Sequence, residues 1–458
     1  MGPEEAYDEA RDASGRPRPG YGETLAALAG TDLEQLRDAV ARALEERGVS
    51  FGAEPFVVDP VPRLICAGEW EPLAAGLAQR ARALNALLCD VYSEQRVVQA
   101  GVIPPDAISN AEGYEPELVG RTPRHPFPAG VIGFDVVRDP HGDFLVLEDN
   151  LRTPSGYAYA VAARAALAAL LPAGLPRPRP VDPVAYDLLR RAIGAAAPAG
   201  RVQPSVIVLT DGPEDSAYFE HAQAAERLGA RLATVDDLAR AGDRLTVRAA
   251  DGYAQPVDVV YRRTTGDLLH GEDGELTAVA QMLLEPWLSG EIGLVNAYGN
   301  GLGDDKFIHG YVEDCIRFYL GEEPLVRSVP THTVDEHGAE RLGPDDLRRL
   351  VTKPRSGYGG EGVMIGAHAD EADLEQRADE LEAHPERYIS QPIVPLSRHP
   401  TVIDGRLEPR HVDLRAFAFC DEDVTVLPGG LTRVALDAGA LVVNSSQDGG
   451  GKDTWVID

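Results

Sequence analysis

Apolar positions recur along this chain with two different periods, and the pattern predicts a mixed α/β protein. A spacing of three or four residues, typical of amphipathic helices, runs through residues 33–44 and 73–92. Short apolar runs of the kind that form buried strands occupy residues 131–137 and 144–147. The first hundred residues therefore favour helices, and the section after them favours a sheet.

Turn-forming residues separate the two apolar runs, which predicts an antiparallel hairpin around residues 138–143. Asp135 in the first strand then lies opposite residues 146–148, although a slip of one residue would turn it to the other face. Glu148 and Asn150 end the second strand on one common face, because side chains repeat every two residues. A carboxylate and an amide oxygen side by side suit Mg²⁺, which shares its oxygen ligands with nucleotide phosphates.

A second α/β unit follows a proline-rich stretch at residues 174–204, which reads as a linker or domain edge. Its predicted elements are strands at 206–209, 232–235 and 257–261 and a helix at 216–228 that ends at Gly229. The order resembles half of a doubly wound sheet. No G-x-G-x-x-G sequence follows the first strand, so dinucleotide binding has weak support.

A further helix is predicted over residues 306–320, with Asp305 at its start and Gly321 at its end. Lys306 in the first turn is unusual, because a cation there opposes the helix dipole. A bound anion would explain it.

Lys353 ends a predicted strand, and the glycine-rich residues 357–362 lead into a return strand at 363–365. Glycines allow backbone N–H groups to approach a phosphate closely, and the lysine adds a positive charge. The sequence is not the strand-to-helix G-x-x-x-x-G-K-[ST] loop, so the hypothesis is a hairpin lid over phosphates. An ordinary glycine turn is the alternative.

Two later strand patterns add polar side chains. The strand at residues 388–394 could offer its backbone to the edge of an adenine, or be an ordinary buried strand. The strand at 410–415 places His411, Asp413 and Arg415 on one face, where Asp413 and Arg415 could form an ion pair.

The charge balance narrows the class of partner. With 43 basic and 74 acidic residues among 458, the formal net charge is −31, which disfavours nucleic acid and anionic membranes as partners. The electrostatic field of this negative charge favours a cationic amine as a ligand, although an acidic composition is commonly a solubility trait. The alanine-rich stretch 157–175 carries Arg164 and Pro172, which argues against a membrane span.

Cysteine usage and the N-terminal sequence predict a cytoplasmic protein. The four cysteines lack C-x-x-C spacing, so no zinc or redox motif is indicated, and a disulfide framework is not expected. The first residues lack a basic segment followed by an apolar one, so no secretory signal is predicted.

Several long motifs together resemble the circularly permuted type 2 ATP-grasp proteins, relatives of glutathionylspermidine synthetases. The motifs are LEDNLRTPSG at 147–156, GDDK at 303–306, KP at 353–354, GYGG at 357–360, HVDLR at 411–415, PGGLTRVA at 428–435, NSSQ at 444–447 and KDTW at 452–455. Shorter matches at 62–65, 69–70, 79–80 and 83–85 extend the resemblance over almost the whole chain.

The resemblance implies a fold in which two α/β subdomains grip ATP, with the metal-binding segment before the lysine-bearing lid. It implies that Glu148 and Asn150 hold Mg²⁺, with Asp135 a further candidate. It also implies that Lys306 and Lys353 contact the ATP phosphates, that Gly359 and Gly360 close over them, and that the strand at Gln391 flanks adenine.

One position departs from the relatives: Gly133 stands where glutathionylspermidine synthetases carry an arginine, two residues before Asp135. Arg152 and Arg415 are therefore the candidates for the catalytic arginine.

The implied organisation is a helical N-terminal region (1–110), an ATP-grasp segment with the Glu-x-Asn pair (111–200), a Rossmann-like α/β subdomain (201–300) and a lid and substrate segment (301–458).

The expected activity is ATP- and Mg²⁺-dependent ligation of a carboxylate, on a small molecule or peptide, to an amine. An acyl phosphate would be the intermediate, and lid closure would keep water from hydrolysing it. The alternatives are an ATP-grasp phosphotransferase that stops after phosphoryl transfer, and a nucleotide-binding protein without turnover.

Overall fold

The structure, a computed structural model, describes residues 6–458 except 124, 243, 249–251, 265, 267, 272, 334–341, 358–361, 438 and 440–448. Its α-helices are α1 Tyr21–Leu28, α2 Leu33–Glu45, α3 Ala67–Val91, α4 Arg96–Gln99, α5 Pro105–Ser109, α6 Tyr157–Ala168, α7 Val184–Ala195, α8 Tyr218–Leu228, α9 Ala278–Leu288, α10 Lys306–His309, α11 Val312–Cys315, α12 Pro344–Leu347 and α13 Glu371–Ala383.

Its strands are β1 Ser50–Phe51, β2 Glu54–Pro55, β3 Val58–Cys66, β4 Val131–Arg138, β5 Phe144–Asn150, β6 Val206–Thr210, β7 Arg231–Ala233, β8 Leu238–Ala241, β9 Arg244–Arg248, β10 Ala254–Pro256, β11 Val259–Arg263, β12 Gly293–Val295, β13 Arg327–Ser328, β14 His332–Thr333, β15 Leu350–Pro354, β16 Met364–Ile365, β17 Tyr388–Pro392, β18 Arg398–Ile403, β19 Arg406–Cys420, β20 Val424–Val426, β21 Leu431–Ala435 and β22 Gly449–Ile457. The mixture of helices and sheets confirms the predicted α/β class.

The central sheet has the strand order β13-β5-β4-β19-β21-β22-β3, and β18 and β20 also pair with β19. The predicted hairpin forms its β4–β5 pair, with Asp135 directly opposite Glu148 and a bulge after Asp135. The sheet also includes β3, which was not predicted and contains two prolines. Because β3 lies at the end of this strand order, the missing proline N–H groups are tolerated there.

Helices cover both faces of the central sheet. Side chains of β19 point alternately to one face and to the other. Leu414 and Ala416 pack with the apolar face of α3, including Leu77 and Leu84, whereas Phe417 packs on the opposite side with the first residue of α6. Fully burying one such side chain stabilises the fold by roughly 1.5–3 kcal/mol. The sheet that carries Asp135 is therefore a rigid base for the site.

A four-stranded parallel sheet, β12-β11-β6-β7, forms the second unit. It confirms the predicted α/β pattern between residues 206 and 261, and α8 ends at Gly229, whose φ of 64° is the left-handed value that glycine favours. The small antiparallel sheet β10-β9-β8 was not predicted.

Another four-stranded sheet, β14-β17-β15-β16, carries α12 and α13 on a small core of its own. We call this group of elements the lid unit. The predicted β15–β16 hairpin is confirmed, because Val351 lies opposite Ile365 in the antiparallel pair. The tip of the hairpin, with Gly359 and Gly360, lies outside the described residues.

The single helix predicted over residues 306–320 is wrong. Helix α10 ends at His309, α11 starts at Val312, and a π-helical turn follows from Ile316 to Leu320. Gly310 interrupts the helix, as expected from the weak helix propensity of glycine. The predicted N-cap is confirmed, since Asp305 accepts from the N–H groups of the following turn.

The helices predicted at 33–44 and 73–92 are confirmed by α2 and α3. Over the described part of the chain, no helix combines the length and the apolar character needed to cross a bilayer. The domain boundaries at 110, 200 and 300 stay a prediction.

Candidate active site

One cavity of about 600 Å³ is lined by residues of the central sheet, the lid unit and the loops beyond the parallel sheet. Eight of the predicted site residues line it, namely Asp135, Glu148, Asn150, Arg152, Lys306, Lys353, Gln391 and Arg415. The other two predicted residues, Gly359 and Gly360, lie outside the described residues. Segments that are far apart in the sequence therefore meet at one place, whereas the role of each residue stays a prediction.

Strand β5 carries Glu148 and strand β15 carries Lys353, and the two side chains form an ion pair. The Lys353 ammonium donates to Oε1 of Glu148 at 3.0 Å. Burial by itself would raise the pKa of Glu148, but Lys353 and Lys306 bring it below its ordinary value. Glu148 is therefore ionised at neutral pH.

The donor set around Glu148 fits a magnesium ion. The Asn150 amide donates to the Gly133 carbonyl oxygen at 3.4 Å, which leaves its own carbonyl oxygen as an acceptor two residues from Glu148. The Lys353 ammonium shows that a positive charge fits beside the carboxylate. One carboxylate and one amide oxygen, completed by phosphates and water, match the way proteins usually bind Mg²⁺.

Asp135 lies between two arginines in the middle of the sheet. Its Oδ1 accepts from Arg415 Nε at 2.6 Å, and its Oδ2 accepts from Nη2 of Arg415 and of Arg433, each at 2.8 Å. Burial would raise the pKa of Asp135, but the two guanidiniums hold it well below its ordinary value. Because both carboxylate oxygens orient arginines, a role of Asp135 as metal ligand stays a prediction.

The ion pair expected between Asp413 and Arg415 does not form. Arg433 on β21 donates instead to Asp413, with Nε 3.0 Å from Oδ1, and Arg415 pairs with Asp135. The strand register explains the exchange, since Asp413 lies directly opposite Arg433, and Arg415 directly opposite Asp135. Direct cross-strand neighbours are closer than residues two apart on one strand. Sequence reasoning did not select Arg433, although it lies in a quoted motif.

Lys306 starts α10 at the base of the lid hairpin. Its ammonium donates to the Gly357 carbonyl oxygen at 2.8 Å. A neighbouring ion pair holds the end of strand β15, because Arg355, which directly follows that strand, pairs with Asp305 at 3.1 Å. The contact of Lys306 with a bound anion stays a prediction. The positive end of this short helix and the lid hairpin are therefore held together.

Arg152 follows strand β5 at the cavity wall. The backbone N–H groups of Leu151 and Arg152 both donate to Oδ1 of Asp304, at 2.6 and 3.2 Å. This carboxylate fixes the turn that presents the Arg152 side chain to the cavity. The GDDK motif thus supports the turn through Asp304 and caps a helix through Asp305.

Gln391 lies on β17 in the lid unit, and its amide donates to the Thr331 hydroxyl at 2.9 Å. Apolar side chains surround this end of the cavity, including Val351, Ile365 and Leu396. An apolar slot beside two lysines suits a flat ring that carries phosphates.

A buried ion-pair cluster that sequence reasoning missed supports the strand from behind. Asp149, between the two predicted metal ligands, accepts from Arg80 Nε at 2.6 Å and contacts His309 Nδ1 at 2.7 Å. Burial would raise the pKa of Asp149, but Arg80 lowers it well below its ordinary value. Strand alternation alone indicates that Asp149 faces away from Glu148, but it does not identify partners from α3 and α10.

Comparison with known proteins gives a consistent picture. The family model for circularly permuted ATP-grasp type 2 matches residues 62–435. An uncharacterised protein of Mycobacterium bovis is 42% identical over 467 residues, which cover 99% of this chain and 84% of the relative.

A Frankia alni protein, provisionally named glutamate–cysteine ligase 2-3, is 41% identical over 466 residues; the match covers 98% of this chain and 54% of that protein. This chain therefore spans about half the length of the Frankia relative. Among solved structures, a glutathione synthetase-like effector from Globodera pallida matches with a TM-score of 0.56, over 93% of this chain and 97% of that chain. At 12% identity this likeness concerns the fold alone.

Proposed function

We propose that this chain, which belongs to the circularly permuted ATP-grasp type 2 family, is an ATP- and Mg²⁺-dependent ligase that joins a carboxylate to an amine. The observation that carries the proposal is the 3.0 Å contact between the Glu148 carboxylate and the Lys353 ammonium within one cavity. A metal-binding carboxylate beside a phosphate-binding lysine is what a nucleotide-dependent phosphoryl transfer needs.

In the proposed complex, the adenine lies in the apolar slot beside Gln391, and the phosphates extend towards Lys353 and Lys306. Glu148 and Asn150 hold the metal. A bound Mg²⁺ would neutralise charge on the phosphate oxygens during transfer. Lys353 would exchange its contact with Glu148 for one with the phosphates, so that the lid unit responds to the nucleotide.

The first chemical step is attack of a substrate carboxylate oxygen on the γ-phosphorus, which forms an acyl phosphate and releases ADP. The amine nitrogen then attacks the acyl carbon, phosphate leaves, and the nitrogen loses a proton to give the amide. We propose that Arg415 orients the carboxylate and stabilises the charge that develops, because Asp135 fixes its guanidinium at the cavity wall. Arg152 is the other candidate for this role.

The name of the Frankia relative is consistent with an acid and an amine as substrates. Its provisional activity is that of a protein about twice as long, so the identity of the acid and of the amine is not carried over to this chain.

The proposal is tested by measuring ADP release from ATP and Mg²⁺ with pools of carboxylic acids, with and without hydroxylamine. Hydroxylamine converts an acyl phosphate into a stable hydroxamate, which mass spectrometry identifies. A hydroxamate, followed by an amide when an amine pool replaces hydroxylamine, supports the ligase. A stable phosphorylated product would indicate a phosphotransferase instead, and nucleotide binding without turnover in every pool would indicate a binding protein.

Two variants sharpen the test. Glu148→Gln should abolish the Mg²⁺-dependent turnover while the fold is kept, because the amide retains the shape but lacks the charge that binds the metal. Glu23→Gln, which makes the same change at an exposed position on α1, should behave as wild type. Full activity of Glu148→Gln would refute the assignment of the metal site.

A further inference from the structure

The parallel sheet has a point at which its strand order reverses. From β6 the chain passes to β7 on one side and then returns to place β11 on the other side, followed by β12. In open parallel sheets, ligands bind in the crevice beyond the carboxyl ends of the strands at such a point. The two strand ends lie side by side here, because Thr210 of β6 is in register with Arg263 of β11.

This crevice opens into the cavity of the candidate active site. Asp215 and Ser216, from the loop after β6, line that cavity together with His221 of α8 and Thr264, which directly follows β11. The parallel sheet therefore contributes a second polar wall, separate from the wall with Glu148 and Lys353.

A short loop at residues 154–155 connects the second wall with Arg415, the arginine proposed to act on the carboxylate. The carbonyl oxygen of Pro154 accepts from Arg263 Nη1 at 2.7 Å, and that of Ser155 accepts from Arg415 Nη1 at 3.4 Å. Consecutive residues thus connect the arginine of the crevice with the arginine proposed to act on the carboxylate. The crevice and Arg415 therefore adjoin the same loop at the wall of one cavity.

The positive charge of Arg263 is already compensated. Its Nη2 donates to Oε1 of Glu220 at 3.2 Å, while Oε2 of Glu220 accepts from the N–H groups of Gly156 and Ala158, both at 2.9 Å. Each of these three contacts to the carboxylate is from a donor. The pair adds no net charge to the crevice.

Asp215 supplies the negative charge that remains. Its Oδ1 accepts from the Ala217 N–H at 2.7 Å, and over the residues that the structure describes its one basic neighbour within 4.0 Å is His221 Nε2, at 3.9 Å. His221 is neutral, because burial and the nearby Arg263 lower its pKa to about 2. Burial raises the pKa of Asp215, and the charge of Arg263 and the Ala217 N–H oppose that rise. Because the structure shows no arginine or lysine within 4.0 Å of Asp215 among the described residues, its carboxylate can pair with a cation from the cavity.

Thr264 provides an independent sign of a ligand. Its hydroxyl oxygen is buried and has no hydrogen-bond partner among the described residues, although the side chain lines the cavity. An unsatisfied buried hydroxyl costs about 1–3 kcal/mol. A polar ligand in the crevice would remove this cost.

We propose that this crevice is the binding site of the amine substrate, in which the Asp215 carboxylate pairs with an ammonium group and the Thr264 hydroxyl accepts a hydrogen bond from it. The inference rests on the proposed ligase function for the identity of the ligand as a substrate. It assigns the substrate class as a cationic amine, which the net charge of −31 also attracts. A neutral or acidic nucleophile would leave Asp215 unpaired or repelled.

The test is calorimetric titration of the full chain with 1,4-diaminobutane as a cationic probe and 1,4-butanediol as its neutral isostere, at constant ionic strength. The wild type should bind the diamine and not the diol. Asp215→Asn, which keeps the acceptor for the Ala217 N–H, should lose affinity for the diamine by a factor of ten or more, on the order expected when one partner of a buried charge pair is removed. Thr264→Val should weaken it by a smaller factor.

Glu214→Gln is the matched control, since it removes the same charge from an exposed residue of the same loop and should keep the wild-type affinity. ATP affinity measured on Asp215→Asn should equal that of wild type, which shows that the cavity is intact. Equal binding of diamine and diol, or equal diamine affinity of Asp215→Asn and wild type, would overturn the inference. Because no turnover is measured, this result is independent of the hydroxamate test.

Discussion

Replacing Arg433 with methionine tests whether the charge network of the central sheet has the energetics that its geometry implies. The guanidinium is buried between Asp413 and Asp135, with its Nη2 2.8 Å from Oδ2 of Asp135. Methionine fills a similar volume without charge. Asp135 keeps Arg415, whereas Asp413, with 1% of its side chain exposed, loses its cationic partner. Removing one member of a buried pair costs about 3–5 kcal/mol, so we expect a loss of that size in the free energy of unfolding at pH 8.

The pH dependence of this loss follows from the pKa of Asp413. Burial already raises that pKa above its ordinary value despite the opposing effect of Arg433, and removing the arginine raises it further. A carboxyl whose pKa is higher in the folded than in the unfolded state binds more protons when folded, so the variant regains stability as the pH falls. The gain is at most about 1.4 kcal/mol per pH unit. The loss in the free energy of unfolding that Arg433→Met causes should therefore be smaller at pH 5.5 than at pH 8.

The assay is urea unfolding at both pH values, followed by tryptophan fluorescence. Arg82→Met is the control, because this arginine forms an exposed pair with Glu322 at 3.4 Å and should cost at most about 1 kcal/mol. The double variant Arg433→Met/Asp413→Asn should be more stable than Arg433→Met, since no unpaired charge is then buried. A deficit of less than about 1 kcal/mol for Arg433→Met, or the same deficit at both pH values, would refute this reasoning.

Two further predictions concern buried groups near the site. Asp149→Asn should lower the free energy of unfolding by about 3–5 kcal/mol, because it leaves the buried Arg80 without a charged partner; a loss below about 1 kcal/mol in urea unfolding would contradict this. His221 has a folded-state pKa of about 2, below the value of about 6.5 in an unfolded chain, so its stability contribution is complete above pH 6.5 and is lost as the pH falls. Between pH 8 and pH 5 this loss is about 2 kcal/mol in the wild type, and it should be absent from His221→Gln; identical pH profiles of the two proteins would contradict it.

Local patterns in the sequence were sufficient to predict the strands that carry the candidate site. The hairpin that places Asp135 opposite Glu148 depends on two adjacent apolar runs and one turn, and Glu148 falls within the predicted range of 146–148. The strand that ends in Lys353 and its return strand were predicted for the same reason.

Contacts between distant strands could not be predicted in this way. The pairing of Arg433 with Asp413, and of Arg415 with Asp135, depends on the order β4-β19-β21, which joins segments nearly 300 residues apart. Strand β3 was not predicted either. It contains two prolines, which disfavour a central strand but are tolerated at the end of a sheet. The motifs of the family identified which segments matter, but the side chains that meet are determined by the sheet.

The central claim is that the segments around Glu148 and Lys353 form one magnesium–nucleotide site. Calorimetric titration with ATP, with and without Mg²⁺, measures this most directly on wild type, Glu148→Gln and Lys353→Ala. The account predicts that wild type binds one ATP more tightly with Mg²⁺, that Glu148→Gln loses this enhancement, and that Lys353→Ala binds Mg²⁺-ATP at least about tenfold more weakly, as for the loss of a charge-assisted contact. Wild-type affinity and Mg²⁺ dependence in both variants would contradict it.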